Sequence, residues 1–467
     1  MKHISGIIEV LSQTEIEFIH NKTLELLEKV GVKVPNNEIL DICHGMGCVV
    51  DKHTQILKIP AKVMADVISE HKKKNTVKGT ITEKLTGDIS TQVFVVDFET
   101  KKRRYGLMDD VMKGIILVEK LDFIKAANSV VIPSDVPAEL SEIESFKAIF
   151  TYSSKPGDTY VLTPFSAKYV LQLSDAMGIQ QSYLLDTVSP LSFREESLEI
   201  ALQYAKKGHR IHTGPMTMAG ATSPVTLAGT LVVENAEVLA SMFIIYSLTN
   251  CISICYAPAH SFDMQTLLCS FGAPNQALLG IACAQMARYY NLESRTNTGL
   301  SDSILPDFQG GFEKASTAVI AHLAGCKEIG CQGIVGADQG FSFEQLVIDN
   351  EWLSYYNYIL RGIEVNEKTI GLDVIEKVGI GGNYITEEHT AMNMMDNYWY
   401  SNLFKREAWD QWINNGQKEI LGTAHEYIKD ILSGYQYAVP VITPSKLDEL
   451  NQITEDAKQE YVLIYKS

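Results

Sequence analysis

Carboxylates and aromatic side chains recur together in the loops that follow short apolar runs. PSDVP carries Asp135, and APAHSFDMQT carries His260, Phe262 and Asp263 just beyond Tyr256. GLSDSILPDFQGGFEK carries Asp302, Asp307 and Phe308, and ADQGFSFEQLVIDNE carries Asp338, Gln339, Phe341, Phe343 and Glu344. Singly, such carboxylates cap helices and such rings cover a core. Together they form an acidic, aromatic rim that could hold an organic cation through ring faces and a diffuse negative field. Tyr355 and Tyr356 lie near that rim in sequence, on a helix whose Ile348, Trp352, Tyr356 and Ile359 stripe also suits a core. Tyr398, Trp399 and Tyr400 suit a lid or C-terminal packing equally well.

Metal chemistry has less to work with. Cys251 and Cys255 lie four apart, roughly 13 Å along an extended strand. His209 and His212, three apart, face opposite sides of a strand, and Cys326 and Cys331 flank a helix end without nearby partners. These side chains read as buried structure. The chain contains no GxxxxGK[ST], HExxH or GxSxG pattern, and the glycines at 379, 381 and 382 do not complete a dinucleotide fingerprint.

The rim needs elements to position it. Strand-like runs fall at 124–133, 159–164, 181–188, 209–214, 251–257, 292–299 and 328–336. Helical stretches at 141–150, 165–177, 194–207, 224–249, 274–290, 311–325 and 344–362 separate or follow them. Such alternation predicts parallel strands with right-handed crossovers, and seven units in a row suit a closed α/β barrel of the (β/α)₈ TIM type. An eighth strand is expected at 93–98 or near 380–385. Ahead of the series, Ser12 and Glu15 predict a capping box, a second helix spans 61–71, and VFVVDF predicts a hairpin. Residues 1–108 therefore read as an N-terminal cap, 109–433 as the barrel and 434–467 as a peripheral tail.

The composition is that of a soluble globular protein: 467 residues, 46% hydrophobic, with 40 basic against 57 acidic residues and a net charge of -17. That charge disfavours nucleic acid. Val238 to Leu248 is too short to span a bilayer and reads as a buried helix. No signal peptide is evident, and eight scattered cysteines suit a reducing cytoplasm.

In order along the chain, SDVP, PMTMAGATSPVTLAG, VENAEVLA, GLSDS, DFQGGFEKA, EQLVIDNE, LRGIEVNE and VIEKVGIGGNYITEEHT resemble the trimethylamine methyltransferase family. The founding members carry pyrrolysine in the barrel; the matching region here, 334–342, holds only standard amino acids. The resemblance therefore implies a non-pyrrolysine methyltransferase, similar to enzymes that demethylate glycine betaine, proline betaine or carnitine. It implies a corrinoid (cobalamin) methyl acceptor carried on a separate partner protein, and a homo-oligomer. Its expected substrate-binding residues are Tyr256, Phe262, Asp302, Asp338, Gln339, Glu344, Tyr356, His389 and Trp399. Related sequences often have His where Asn383 stands, a departure that bears on substrate choice. The alternative is a non-catalytic protein that binds quaternary amines on the same fold.

Overall fold

The computed structural model describes residues 7–74, 84–251, 255–326, 328–330, 332–434 and 438–465. The N-terminal segment folds as its sequence predicts. The Ser12 hydroxyl accepts the Glu15 N–H, and the Glu15 carboxylate accepts the Ser12 N–H at 2.8 Å, starting helix Gln13–Lys29. Ile16, Ile19 and Leu27 bury one face of that helix. A three-stranded antiparallel sheet and helices Asn37–Gly45 and Ala61–Lys74 accompany it. The expected hairpin is Phe94–Val96 against Arg103–Tyr105, with its turn held by Thr100 donating to Asp97.

Parallel strands and helices then alternate as far as residue 360. Ser182–Asp186 runs parallel to Arg210–Gly214. Glu293–Thr296 runs parallel to both Cys255–Tyr256 and Glu328–Ile329, and the latter to Thr86–Gly87. Single parallel bridges extend the order from Gly87 to Ile124 and from Ala127 to Pro156. The intervening helices are Ala138–Tyr152, Pro164–Met177, Glu195–Lys206, Leu227–Thr249, Pro274–Tyr290 and Phe308–Leu323, and Phe343–Leu360 ends the series. The result is a mixed helix and strand fold with helical crossovers between parallel strands.

Several sequence expectations change, and the run at 124–133 carries only single bridges at Ile124, Ala127 and Val131 in place of a strand. Thr86–Gly87 is a parallel strand that the sequence did not suggest; Phe94–Val96 forms the hairpin and also runs parallel to Gly340–Phe341, while 380–385 is exposed and holds no strand. Two residues carry no alternation for a sequence pattern to reveal. Residues 159–164 form no strand either, because Thr163 caps the helix that Pro164 opens.

Helix Leu227–Thr249 is long and apolar enough to cross a membrane, yet most of it is enclosed by the rest of the fold. Two of its buried polar residues, Glu237 and Asn235, have structural partners, whereas the fully buried Glu234 carboxyl has no hydrogen-bond partner among the described residues and burial holds it well above the usual carboxylate range. Glu237 accepts from the hydroxyls of Thr187 (2.5 Å) and Ser189 (2.7 Å) and from Leu191 N–H (2.8 Å), holding the loop after strand Ser182–Asp186. Asn235 donates to Thr23 and Tyr290, linking this helix to the N-terminal one. At the other end of the chain, helix Ile420–Leu432 packs on Phe343–Leu360, and Pro444–Tyr465 lies across Ala138–Tyr152 and Pro164–Met177.

Candidate active site

Side-chain alternation divides the parallel strands into two faces. Along Ser182–Asp186, Tyr183 and Leu185 are buried towards the helices, while Ser182 and Leu184 lie on the opposite, inner face; Asp186, at the strand's end, accepts from Arg194 and Ser197 at the start of the next helix. Arg210, His212, Glu293, Arg295 and Asn297 continue that face by the same two-residue period. The inner face is polar and open to water. The Arg295 side chain remains 42% exposed although its Nη2 donates to Asp88 Oδ2 at 2.6 Å.

Asp88 also accepts from Asn128 Nδ2 at 3.0 Å, and Asp158 accepts the Ser182 N–H at 3.2 Å. Burial lifts the Asp158 carboxyl to about 6; the nearby Asp88 charge adds to the rise, while the Ser182 N–H and Arg295 oppose it. One step towards the strand C-termini, Thr91 and Thr159 hydroxyls meet at 2.9 Å and Ser90 meets the Tyr160 hydroxyl at 3.3 Å. Tyr160 is exposed, as are Leu162, Val188, Met216, Met264 and Ile304 in the segments at this end. Asp88, Asp158, the exposed Tyr160 and these apolar side chains lie in segments at one end of the parallel strands, and the ground between Asp158 and Arg295 is the candidate recess.

The expected rim forms beside it. The Asp302 carboxylate accepts from Ser270 Oγ (2.6 Å) and Phe271 N–H (2.7 Å), so it anchors the antiparallel ribbon Phe262–Asp263 and Leu268–Cys269. The Asp302 N–H in turn donates to Glu313. Ala337 N–H donates to Ser301 O and Gly336 N–H to Ser303 O, which brings Asp338 and Gln339 onto the same rim. Gln92 Nε2 donates to Asp338 Oδ1 at 2.6 Å. Asp338 is open to water yet walled by protein, and that enclosure raises its carboxyl above the usual range. Ala337 and Asp338 both have positive φ, 51° and 71°, which turns the chain sharply at this point.

His260 sits below the rim, fully buried, with Nε2 2.9 Å from the Asn297 side-chain amide. Burial pushes its imidazole down to about 4, so it is neutral at pH 7 and acts as a polar strut.

Phe262, Asp302, Asp338 and Gln339 are thus brought together, and the other expected residues are not. Tyr256 is buried, donates to Asn235 Oδ1 at 3.0 Å and stacks on Tyr290. Tyr356 is buried edge-on to His322. Both face helices, because their positions on strand and helix belong to the core period. Glu344 accepts from His425 Nδ1 at 2.8 Å, and that imidazole stacks on Phe98 at 3.7 Å, which ties helix Ile420–Leu432 down. Trp399 donates to Ser354 and packs edge-on against Tyr355. His389 lies against Gly371 in an exposed segment beyond residue 360, away from the recess. Cys331 lies outside the described residues. Asp88, Asp158, Tyr160, Arg295 and Asn297 were not among the expected site residues. The one signal for them is the polar alternation of ESRTN at 293–297.

A family model described as trimethylamine methyltransferase (MTTB) matches residues 1–461. A trimethylamine methyltransferase of Desulfitobacterium hafniense (strain DSM 10664 / DCB-2) is 29% identical, over 96% of this chain and 94% of its own length. A glycine betaine methyltransferase of Desulfitobacterium hafniense (strain Y51) is 25% identical, over 91% of this chain and 92% of its own. The crystal structure of a Methanosarcina barkeri monomethylamine methyltransferase aligns over 97% of this chain and 94% of its own, with 11% identity and a TM-score of 0.48.

Proposed function

The chain belongs to the trimethylamine methyltransferase family and is a methyltransferase; on that premise we propose that it transfers a methyl group from a quaternary amine to a corrinoid borne on a separate protein. The acidic, aromatic recess on the inner strand face carries this reading. A trimethylammonium head has no N–H to donate, so it is recognised by ring faces and carboxylate charge. Tyr160 supplies the ring, Asp158 and Asp338 the charge, and Leu162, Val188 and Met216 the apolar collar that excludes water.

Transfer requires the C–N bond to break with its electron pair left on nitrogen, while the methyl group bonds to a nucleophilic cobalt(I). The leaving tertiary amine is neutral, so no proton need be supplied. The chain's task is to bind the cation, hold one methyl pointing outward and keep water away. The neutral His260 and the absence of an acid–base pair among the residues named above agree with that task. A betaine adds a carboxylate, and Arg295, half-exposed on the same face, is placed to receive it. Residues 334–342 contain only standard amino acids, which supports a substrate that reacts without pyrrolysine.

We further infer that the parallel segments close into a (β/α)₈ barrel between an N-terminal cap and a C-terminal tail. The pairings from Pro156 through Ala127 and Ile124 to Gly87, and on through Ile329 and Thr296, support closure. Side-chain bonds from Ser182 N–H to Asp158 and from Thr213 Oγ1 to Cys255 O lie where the two remaining joints would be. A reducing cytoplasm suits the free thiols.

The test incubates the purified protein with cob(I)alamin, or with candidate corrinoid proteins, and each of glycine betaine, proline betaine, carnitine, γ-butyrobetaine, choline and trimethylamine. Absorbance follows methylcobalamin. Turnover of a carboxylated quaternary amine, with its demethylated product, is expected. Saturable amine binding with no transfer to any acceptor overturns the enzyme reading in favour of a sensor.

A further inference from the structure

With the recess as the amine site proposed above, we infer that Glu142, on helix Ala138–Tyr152, is a positioning residue for it. Its carboxyl holds the segment 158–162 from behind and so sets where Tyr160 and Leu162 meet the substrate cation.

The segment needs such a hold. Residues 157–162 carry no strand, so no ladder fixes their backbone as it would in a parallel sheet. Side chains do this instead. At one end the Asp158 carboxylate accepts the Ser182 N–H at 3.2 Å, and at the other Glu142 Oε1 accepts the Leu162 N–H at 3.0 Å. Between them the Thr159 hydroxyl meets that of Thr91 at 2.9 Å, and the Tyr160 hydroxyl meets Ser90 at 3.3 Å. Of these bonds, the one to Glu142 is made by the segment's own backbone.

That bond aims two side chains at once. Val161 is buried, whereas Tyr160 and Leu162 are 42% and 40% exposed. An extended stretch sends alternate side chains to opposite sides, so the ring and the collar residue share the open face. A carboxyl that takes the Leu162 N–H steadies both and leaves the recess clear for the cation.

The surroundings of Glu142 suit this task better than a purely stabilising one. Its Oε2 is buried and has no hydrogen-bond partner among the described residues. Burial raises the carboxyl to about 7, so the group is costly where it stands. Behind it Tyr183 and Tyr204 pack with ring centroids 5.3 Å apart, and the charges of both Asp158 and Glu142 bear on the Tyr204 phenol. The carboxyls that hold the two ends of the segment are thus referenced to one close-packed ring pair, which fixes their spacing.

Hydrogen exchange of the full chain near pH 7, resolved to single amides, reads the hold without any amine. In the wild type the Leu162 amide is expected to exchange at least about tenfold more slowly than an unprotected amide. Glu142→Ala should speed exchange across 158–162 about tenfold, with helices Ala138–Tyr152 and Pro164–Met177 keeping wild-type protection. Glu142→Gln, which retains the acceptor, should restore the protection. Kinetics with cob(I)alamin and the quaternary amines of the turnover assay read the consequence. Glu142→Ala should raise KM about tenfold with kcat within about twofold, the pattern of lost substrate binding, and Glu142→Gln should recover most of that KM. An unprotected Leu162 amide in the wild type overturns the inference, whether or not the Ala variant folds. A folded Ala variant with wild-type KM overturns it too, as does a Gln variant no better than Ala. A wild type that turns over no amine removes the amine reading instead, and exchange at Leu162 still decides whether Glu142 holds the segment.

Discussion

At the scale of single residues, the recess works because burial and charge act on carboxylates that water still reaches. The substrate cation has a fixed charge, and only the ionised form of Asp158 attracts it. With that carboxyl raised to about 6, binding should weaken as pH falls through 6 and hold above it. A kcat/KM profile for the quaternary amine should show this acid limb, and Asp158→Asn should remove the limb and raise KM about tenfold. Stability has the opposite sign. Burial raises the Glu142 carboxyl to about 7. Its stabilising contribution is full below the unfolded value near 4.5 and is lost as pH rises through about 7. Glu142→Gln, which keeps the acceptor for Leu162 N–H, should flatten the thermal midpoint between pH 5 and 7. An unchanged slope would mean that other groups set it.

At the scale of elements, one buried ion pair locks the helices behind the rim. Lys314, on helix Phe308–Leu323, lies 3.1 Å from Asp349 on helix Phe343–Leu360, and neither side chain reaches solvent. Asp349 also accepts from Gly333 N–H, Gln345 and Trp352, so the pair fixes the turn that leads to Asp338. Lys314→Met leaves a buried carboxylate short of its cation and should cost about 3–5 kcal/mol, measured by urea unfolding. Adding Asp349→Asn should recover part of that loss, because the uncompensated charge goes with it. Asp302 acts in the same way on a smaller element. Asp302→Ala frees the ribbon that it anchors and should lower methyl transfer at least about tenfold in a folded protein.

At the scale of the whole molecule, one end of the fold gathers the recess and rim, and the C-terminal helices cover a flank. Helix Pro444–Tyr465 buries Leu450 and Ala457 against Ala138–Tyr152 and Pro164–Met177, and the Glu460 carboxylate accepts from both Lys168 and Tyr169. Truncation after residue 433 uncovers that flank and should lower the thermal midpoint by at least about 5 °C. Turnover below the new midpoint should persist, since the tail lies on the outer helices. Loss of turnover in a folded truncated chain would assign the tail a part in the reaction.

The sequence by itself determined the family, the strand–helix rhythm, the capped first helix and a rim containing Phe262, Asp302, Asp338 and Gln339. Those features are local: periodicity, caps and loop composition are written into consecutive residues. The tertiary structure alone decided which acids meet. Asp88, Asp158 and Arg295 lie far apart in the chain and come together through strand order, and the fold's short parallel pairings leave little alternation to read. It also decided against Tyr256 and Tyr356, because a ring one position out of phase faces a helix instead of the recess. Glu344 shows the same limit. A carboxylate at a helix start suits a pocket or a cap equally, and its pairing with His425, 81 residues on, was visible only once the chain had folded back.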